Sequence, residues 1–296
     1  MEKRKYRIGL VQMAMSADPA ANLAKSVAKI AEACALGAEV VCLPELFRTH
    51  YFCQREDAAL FNLAEPVPGP TSQAVAKAAA DCGAAVIASL FERRAAGVYH
   101  NTAAVFGPDG KTIGLYRKTH IPDDPCFYEK YYFTPGDLGF KAFNTGPGRI
   151  GVLVCWDQWY PEAARLTAME GAEVIFYPTA IGWHPAEKEK YGVAQREAWM
   201  AVQRGHAIAN GVFVAAVNRI GFEKPEGSGD GLEFWGSSFV YDPFGRLIAQ
   251  GSVDKEEIVI AEVDASVIED TRRNWPFFRD RRIDIYGGIT KRFGGE

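Results

Sequence analysis

The chain has 296 residues, 48% hydrophobic and 24% charged, with a formal net charge of −4. This is an ordinary globular composition, long enough to bury a large core without disulfides or a structural metal. The balance argues against the basic face of a nucleic-acid binder. No apolar run has the length of a membrane span or the layout of a signal peptide, so the expected compartment is the cytoplasm.

The first apolar run covers 6–14. A helix is predicted over 22–36, stopped by Gly37, and a short buried strand over 39–43 completes a strand–helix–strand unit. A second helix (72–82) leads to a strand at 84–91. Strands at 100–106 and 112–118 follow, joined by Gly107-Pro108-Asp109-Gly110, a hairpin turn. The loop 122–139 is long, aromatic and proline-containing, the kind of segment that carries function in a compact domain.

The second half repeats the plan. A strand at 149–154, a helix at 161–170, a strand at 173–179, a helix at 195–210 and a strand at 212–218 alternate. A hairpin then pairs 239–241 with 246–250, and 257–263 is the last strand. VFGPDGKTIG and VYDPFGRLIAQG occupy matching places in the two halves, a trace of an internal repeat. No linker or composition break separates the halves, so residues 1–296 read as one domain with two sheets flanked by helices. The tail, 268–296, is too aromatic to be a solvated appendage and is expected to pack on the body or on a second subunit.

Three strand ends carry the residues that could do chemistry. Cys155 follows the apolar run IGVLV and precedes a turn and a helix that opens on Pro161. A thiol there projects near a helix N-terminus, where its pKa falls and substrate can reach it. Glu45 follows VVCLP, at the end of a buried strand where open α/β sheets place ligand sites, and a carboxylate beside apolar residues suits a general base. Lys118 ends the strand TIGLYRK, where an ammonium could stabilise an oxyanion. Taken singly, each also reads as a buried cysteine, a capping glutamate or a solvated lysine; it is their coincidence at three strand ends that points to a site.

The six cysteines, Cys34, Cys42, Cys53, Cys82, Cys126 and Cys155, form no C-x-x-C pair and show no metal-ligand spacing. No histidine of His50, His100, His120, His184 and His206 sits at a strand end paired to Cys155, which ranks a cysteine–histidine mechanism low. There is no G-x-G-x-x-G and no Walker-type loop.

CLPELF around Glu45, GLYRKTHIP around Lys118 and VLVCWDQWYPE around Cys155 resemble the nitrilase, or carbon–nitrogen hydrolase, superfamily in order and spacing. GAEVIFYPTAIGW, RGHAIANGVFVAAVNRIG and the tail extend the likeness over nearly the whole chain. The resemblance implies a four-layer α-β-β-α sandwich of the α/β class, usually a homodimer or larger. It also implies a Glu–Lys–Cys triad at Glu45, Lys118 and Cys155, needing neither metal nor organic cofactor.

CWDQWYPEAARLTAMEGAEVIFYPTAIG, DDPCFYEKYYFTPGD and DTRRNWPFFRDRRIDIYG are similar to the branch that hydrolyses N-carbamoylputrescine to putrescine, carbon dioxide and ammonia. That branch implies a second, supporting glutamate at Glu129. The expected oxyanion donors are Lys118 and the backbone N–H of Trp156. A substrate with a cationic tail calls for a carboxylate and aromatic walls. Glu187, Glu189, Asp123 and Asp124 are the candidate carboxylates; Tyr51, Phe52, Tyr128 and Trp183 are candidate walls, with core packing as their alternative. The segment HPAEKEKYGVAQREAW differs from the acidic segment of plant members of the branch, which leaves the ammonium's partner open. The rival substrates are N-carbamoyl-β-alanine and N-carbamoyl-D-amino acids; the rival class is a silent binding protein on the same fold.

Overall fold

The computed structural model describes residues 4–227 and 229–295. Met1–Lys3, Ser228 and Glu296, and with them part of the basic start of the chain and the last residue of the tail, lie outside the described residues.

The first half runs β1 (Lys5–Gln12), α1 (Pro19–Ala35), β2 (Val40–Cys42), α2 (Pro70–Cys82), β3 (Ala85–Ala95), β4 (Val98–Phe106) and β5 (Thr112–Arg117). The second half runs α3 (Glu129–Tyr132), β6 (Ala142–Asn144), β7 (Arg149–Val152), α4 (Pro161–Met169), β8 (Val174–Thr179), β9 (Gly182–Trp183), α5 (Pro185–Asn210), β10 (Phe213–Asn218), β11 (Ile220–Glu223), β12 (Leu232–Trp235), β13 (Phe239–Tyr241), β14 (Leu247–Gln250), β15 (Glu257–Asp264) and α6 (Ala265–Asn274).

Two six-stranded sheets form, in the orders β15-β1-β2-β3-β4-β5 and β6-β7-β8-β10-β13-β14. Read in parallel they are the same sheet twice. Each has an antiparallel edge strand, three parallel strands and an antiparallel hairpin at the far edge. The similar sequences at 105–114 and 240–251 are those two hairpins. A small sheet, β11-β12-β9, is the third.

The central strands are buried on both faces, which is why they read as unbroken apolar runs. Ile8, Leu10, Val40, Cys42, Ala85 and Ile87 turn toward the second sheet and pack with Ile150, Val152, Val174, Phe176, Val214 and Ala216. The alternate residues Val11, Val41, Leu43, Val86 and Ala88 pack against Ile30 and Ala33 of α1 and Val75 and Ala79 of α2. On the other side Ala163, Ala164, Trp199 and Ala207 bring α4 and α5 onto the second sheet. The result is a single-domain α-β-β-α sandwich.

Helix α1 illustrates how the sequence encodes its place. Asp18 caps it by accepting from the Ala20 and Ala21 N–H groups, Pro19 occupies the first turn, and Asn22, Ser26, Ile30 and Ala33 form the buried stripe. Helix α5 starts ten residues earlier than the periodicity predicts. Its first turns, 185–191, are exposed all round and so carry no apolar stripe to read.

The tail begins as α6, whose Ile268 and Thr271 are buried and whose Arg272 donates to the Asn210 carbonyl. Phe278 lies under the guanidinium groups of Arg165, Arg272 and Arg281. From there outward the tail leaves the body, and Ile283, Ile285, Ile289 and Phe293 are exposed. Among the described residues, no helix is long and apolar enough to cross a membrane.

Candidate active site

The ends of β2, β5 and β7 converge, and they bring Glu45, Lys118 and Cys155 together. Beyond β2 the chain continues through Leu43, whose N–H still pairs with the Ile87 carbonyl, to Glu45, whose N–H donates to the Thr179 carbonyl at the end of β8. Lys118 is held one residue past β5 by its own N–H on the Asn101 carbonyl. Leu153 extends β7 by donating to the Phe176 carbonyl, and Cys155 then opens the 3₁₀ turn Cys155–Trp159. Cys155 adopts φ = +44°, the left-handed region that a non-glycine residue occupies at a cost of about 1 kcal/mol. Its thiol faces the Ala180 carbonyl at 3.9 Å. A strained residue at a strand-to-helix turn is the geometry that lifts a nucleophile clear of its sheet.

Behind the sulfur lies a buried charge cluster. Lys118 Nζ donates to Glu45 Oε1 at 2.8 Å and to Glu129 Oε2 at 2.6 Å, and none of the three side chains has exposed surface. Asn101 donates to the same Glu45 oxygen at 2.7 Å, and the Tyr51 hydroxyl donates to Glu129 Oε1 at 2.6 Å. Glu45 Oε2 is buried without a partner among the described residues, so one carboxylate oxygen remains able to take a proton.

Burial works against charge on Lys118, but the carboxylates of Glu129 and Glu45 outweigh it and hold the ammonium well above its ordinary range. One cation cannot satisfy two buried carboxylates. Desolvation, eased by Lys118 and opposed by the charge of Glu45, pushes Glu129 up to about 7. Burial also raises the Cys155 thiol; the charge of Glu45 adds to this, and Lys118 opposes it. At neutral pH the sulfur is therefore a protonated thiol that needs a base at the moment of attack. The helix N-terminus does not deliver the lowered thiol pKa expected from sequence, because full burial dominates.

Asp157 anchors the turn that carries the sulfur. Its Oδ2 accepts from the Val154 N–H at 2.9 Å and the Tyr116 hydroxyl at 2.7 Å, and its Oδ1 accepts from the His120 N–H at 3.0 Å and lies 2.7 Å from His120 Nδ1. Thus the turn is tied to β5 and to the residue two beyond Lys118. Gln158, also fully buried, accepts from Trp199 Nε1 at 2.8 Å. Because an indole N–H only donates, this fixes the amide's orientation and leaves Gln158 Nε2 unpaired among the described residues.

Cys155 opens into a cleft of about 570 Å³ whose wall includes Trp156, Gln158, Trp159, Trp235, Asp124 and Glu187. Among the described residues, no lysine or arginine lines it. Of the carboxylates expected to meet a cationic tail, Asp124 and Glu187 are in this wall and Asp123 and Glu189 are not. The expected aromatic walls lie elsewhere. Tyr51 is in the core, bonded to Glu129; Phe52 stacks on Phe91 with ring centroids 4.8 Å apart. Trp183 packs beside Trp235 and donates to the Gly192 carbonyl, and Tyr128 caps α3 with its N–H on the Cys53 carbonyl. The aromatic lining comes instead from Trp156, Trp159, Trp235 and Phe127. Sequence reasoning also missed Asn101, Asp157 and Gln158. The first of these had no local signal, whereas the other two stand in the motif CWDQW itself.

Comparison with known proteins agrees with this arrangement. The carbon-nitrogen hydrolase family model matches residues 7–273. The chain is 41% identical to the N-carbamoylputrescine amidase of Solanum lycopersicum over 96% of this chain and 95% of the relative. It is 37% identical to a citrullinase of Francisella tularensis over 97% and 99% of the two chains. The solved carbon-nitrogen hydrolase of Helicobacter pylori G27 superposes with a TM-score of 0.95 at 44% identity, covering 98% of this chain and 100% of that one. With a sandwich of this architecture and a buried Glu–Lys–Glu cluster behind a strained cysteine, the chain belongs to the carbon–nitrogen hydrolase family of the nitrilase superfamily and is an amidohydrolase.

Proposed function

We propose that the protein hydrolyses N-carbamoylputrescine, releasing putrescine, carbon dioxide and ammonia through a Cys155-bound intermediate. The observation that carries the choice of substrate is the cleft. It ends on Cys155, its wall contributes the carboxylates of Asp124 and Glu187, and among the described residues it offers no lysine or arginine to a carboxylate-bearing substrate. A ureido group at the sulfur with a protonated amine toward those carboxylates satisfies both ends. The names of the plant relatives, at 41% identity, favour the same reading.

In the proposed reaction Cys155 Sγ attacks the carbamoyl carbon while the thiol proton passes to Glu45. Lys118 and the Trp156 N–H take the developing oxyanion, a contribution worth on the order of a hundredfold in rate per donor. The tetrahedral intermediate expels one nitrogen as a neutral amine, which takes the proton from Glu45, and a thiocarbamate remains on the sulfur. Glu45 then removes a proton from water as it attacks that carbon, and the second collapse returns the thiol. The resulting carbamic acid breaks down to carbon dioxide and the second amine. Glu129, held by Tyr51, keeps Lys118 in place throughout. The protein works without a cofactor, in the cytoplasm. It works as a homodimer or larger assembly in which the exposed Trp275, Phe277, Ile283 and Ile285 of the tail are covered by a second copy.

Ammonia release measured with N-carbamoylputrescine, N-carbamoyl-β-alanine, an N-carbamoyl-D-amino acid and citrulline, compared as kcat/KM, tests the substrate. A preference for any carboxylate-bearing compound would remove the proposed substrate and leave the chemistry. Absence of turnover on all four, with no thiol adduct by intact-mass spectrometry, would favour a silent binding protein.

A further inference from the structure

The segment 45–50, which begins with Glu45, is a run of turns and bends outside every strand and helix. Its shape is nonetheless demanding, because Leu46 sits at φ = +47°. The carbonyls of Glu45, Leu46 and Thr49 all meet one group, the guanidinium of Arg219, which is fully buried between β10 and β11. Arg219 Nη2 donates to the Glu45 carbonyl at 2.6 Å and the Leu46 carbonyl at 3.1 Å, and Nη1 donates to the Thr49 carbonyl at 3.2 Å. Nη1 also reaches Glu223 Oε1 at 2.9 Å, so the buried cation is matched by a buried anion.

Glu223 holds the other end of the same segment. Its Oε2 accepts from the Tyr51 N–H at 2.6 Å, and its backbone carbonyl accepts from Gln54 Nε2 at 3.1 Å. Tyr51 is the residue whose hydroxyl bonds Glu129. One ion pair from the second half of the chain therefore fixes the backbone of Glu45 directly and the backbone of Tyr51, whose hydroxyl in turn holds the Glu129 side chain on Lys118. A planar guanidinium is suited to this because it presents several donors in fixed directions, which a lysine cannot do. Neither Arg219 nor Glu223 lines the cleft.

We propose that Arg219 and Glu223 form a positioning pair for the reaction, holding Glu45 and Glu129 in register on Lys118 without touching the substrate. This rests on Glu45 being the base. Misplacement of a reacting group by about 1 Å costs on the order of a hundredfold in rate, so the pair should act on kcat.

The test compares Arg219→Lys, Glu223→Gln and Arg219→Ala in the full chain, with N-carbamoylputrescine as substrate and kcat expressed per folded molecule, the folded fraction being read from near-ultraviolet circular dichroism. The proposal expects Arg219→Lys to lose roughly ten- to a hundredfold in kcat, with KM changed by less than about twofold. Glu223→Gln, which keeps an acceptor for the Tyr51 N–H, should lose less with the same split. Millimolar guanidinium chloride, but not sodium chloride, should restore part of the Arg219→Ala activity. A purely structural role predicts a smaller folded fraction with normal kcat per folded molecule, and that result overturns the proposal, as does unchanged kcat in a folded Arg219→Lys. Should Arg219→Lys fail to fold, the same kcat criterion applied to Glu223→Gln decides. Glu45→Gln is run beside them. Full activity there removes Glu45 as base, whereas an inactive Glu45→Gln beside a fully active Arg219→Lys removes only the positioning pair.

Discussion

The hydroxyl of Tyr51 donates to Glu129 Oε1 at 2.6 Å inside a site from which water is excluded on both side chains. This bond stabilises the ionised form of a carboxylate that burial has already moved up to about 7. Tyr51→Phe removes the donor and should move Glu129 higher still. More of it would then be protonated at neutral pH, and its hold on Lys118 would weaken. The acid limb of kcat/KM against pH is expected to shift to higher pH, with activity recovering as the medium becomes alkaline. A profile superimposable on that of the unaltered protein would separate Glu129 from the reaction.

Glu129 also links stability to pH, and the sign follows from the direction of its shift. Its pKa is higher folded than unfolded, so between about 4.5 and about 7 the folded state holds a proton that the unfolded state has released. In that window its contribution to stability falls as pH rises. Replacing it by glutamine removes this dependence. The stability of the unaltered protein relative to Glu129→Gln should therefore be most favourable below pH 4.5 and decline through neutrality, as read from urea midpoints. A difference that grew with pH would mean that the ion pair with Lys118, rather than burial, dominates.

The sulfur reports on the same charges. Glu45 raises the Cys155 thiol and Lys118 lowers it, on top of the larger effect of burial. Iodoacetamide alkylation followed against pH should show a lower apparent thiol pKa in Glu45→Gln and a higher one in Lys118→Ala. Turnover should fall in both; loss of a general base typically costs on the order of a hundred- to ten-thousandfold. Glu45→Gln thus makes the thiol more reactive to a simple alkylating agent and less able to turn over substrate. Identical alkylation profiles in all three proteins would mean that the cluster does not govern the nucleophile.

How much of this is written locally in the chain depends on what each residue needs. Glu45 and Cys155 were legible because each follows a strand buried on both faces, and such strands announce themselves as apolar runs; Lys118 follows the edge strand β5, buried only at Tyr116 and Arg117, and was legible from the hairpin turn that opens that strand. The repeated sheet was visible in the recurring order of strands and helices, but sequence likeness survived only at its hairpins, where the turn demands glycine and proline. The early turns of α5 were not legible, since Glu187, Glu189 and Lys190 are solvated and carry no periodic signal. The small third sheet was missed because β9 and β12, of two and four residues, are too short to show a period. Arg219 and Asn101 could not have been found locally: their partners lie 174 and 56 residues away, and only the folded arrangement of strand ends brings them together. Tyr51, Phe52 and Trp183 read as candidate walls because an aromatic residue gives the same signal in a core as in a cleft.

The carboxylates of the cleft provide the last prediction. Asp124 and Glu187 are exposed, so each pairs with a cation in a high-dielectric setting and contributes modestly, roughly two- to fivefold in affinity. Asp124→Asn and Glu187→Gln should each raise KM for N-carbamoylputrescine by about that factor and leave kcat alone. The comparison that isolates charge is N-butylurea, which has the same reacting group and chain length without the ammonium. Its KM should not respond to either substitution. Added salt should weaken only the cationic substrate, because exposed pairs are screened over about 10 Å at 0.1 M ionic strength. If the double variant still favours N-carbamoylputrescine over N-butylurea by the original ratio, the ammonium is held elsewhere. The indole faces of Trp156, Trp159 and Trp235, which line the same cleft, would then be the groups to remove, since a cation can rest on an aromatic face without any carboxylate and with little dependence on salt.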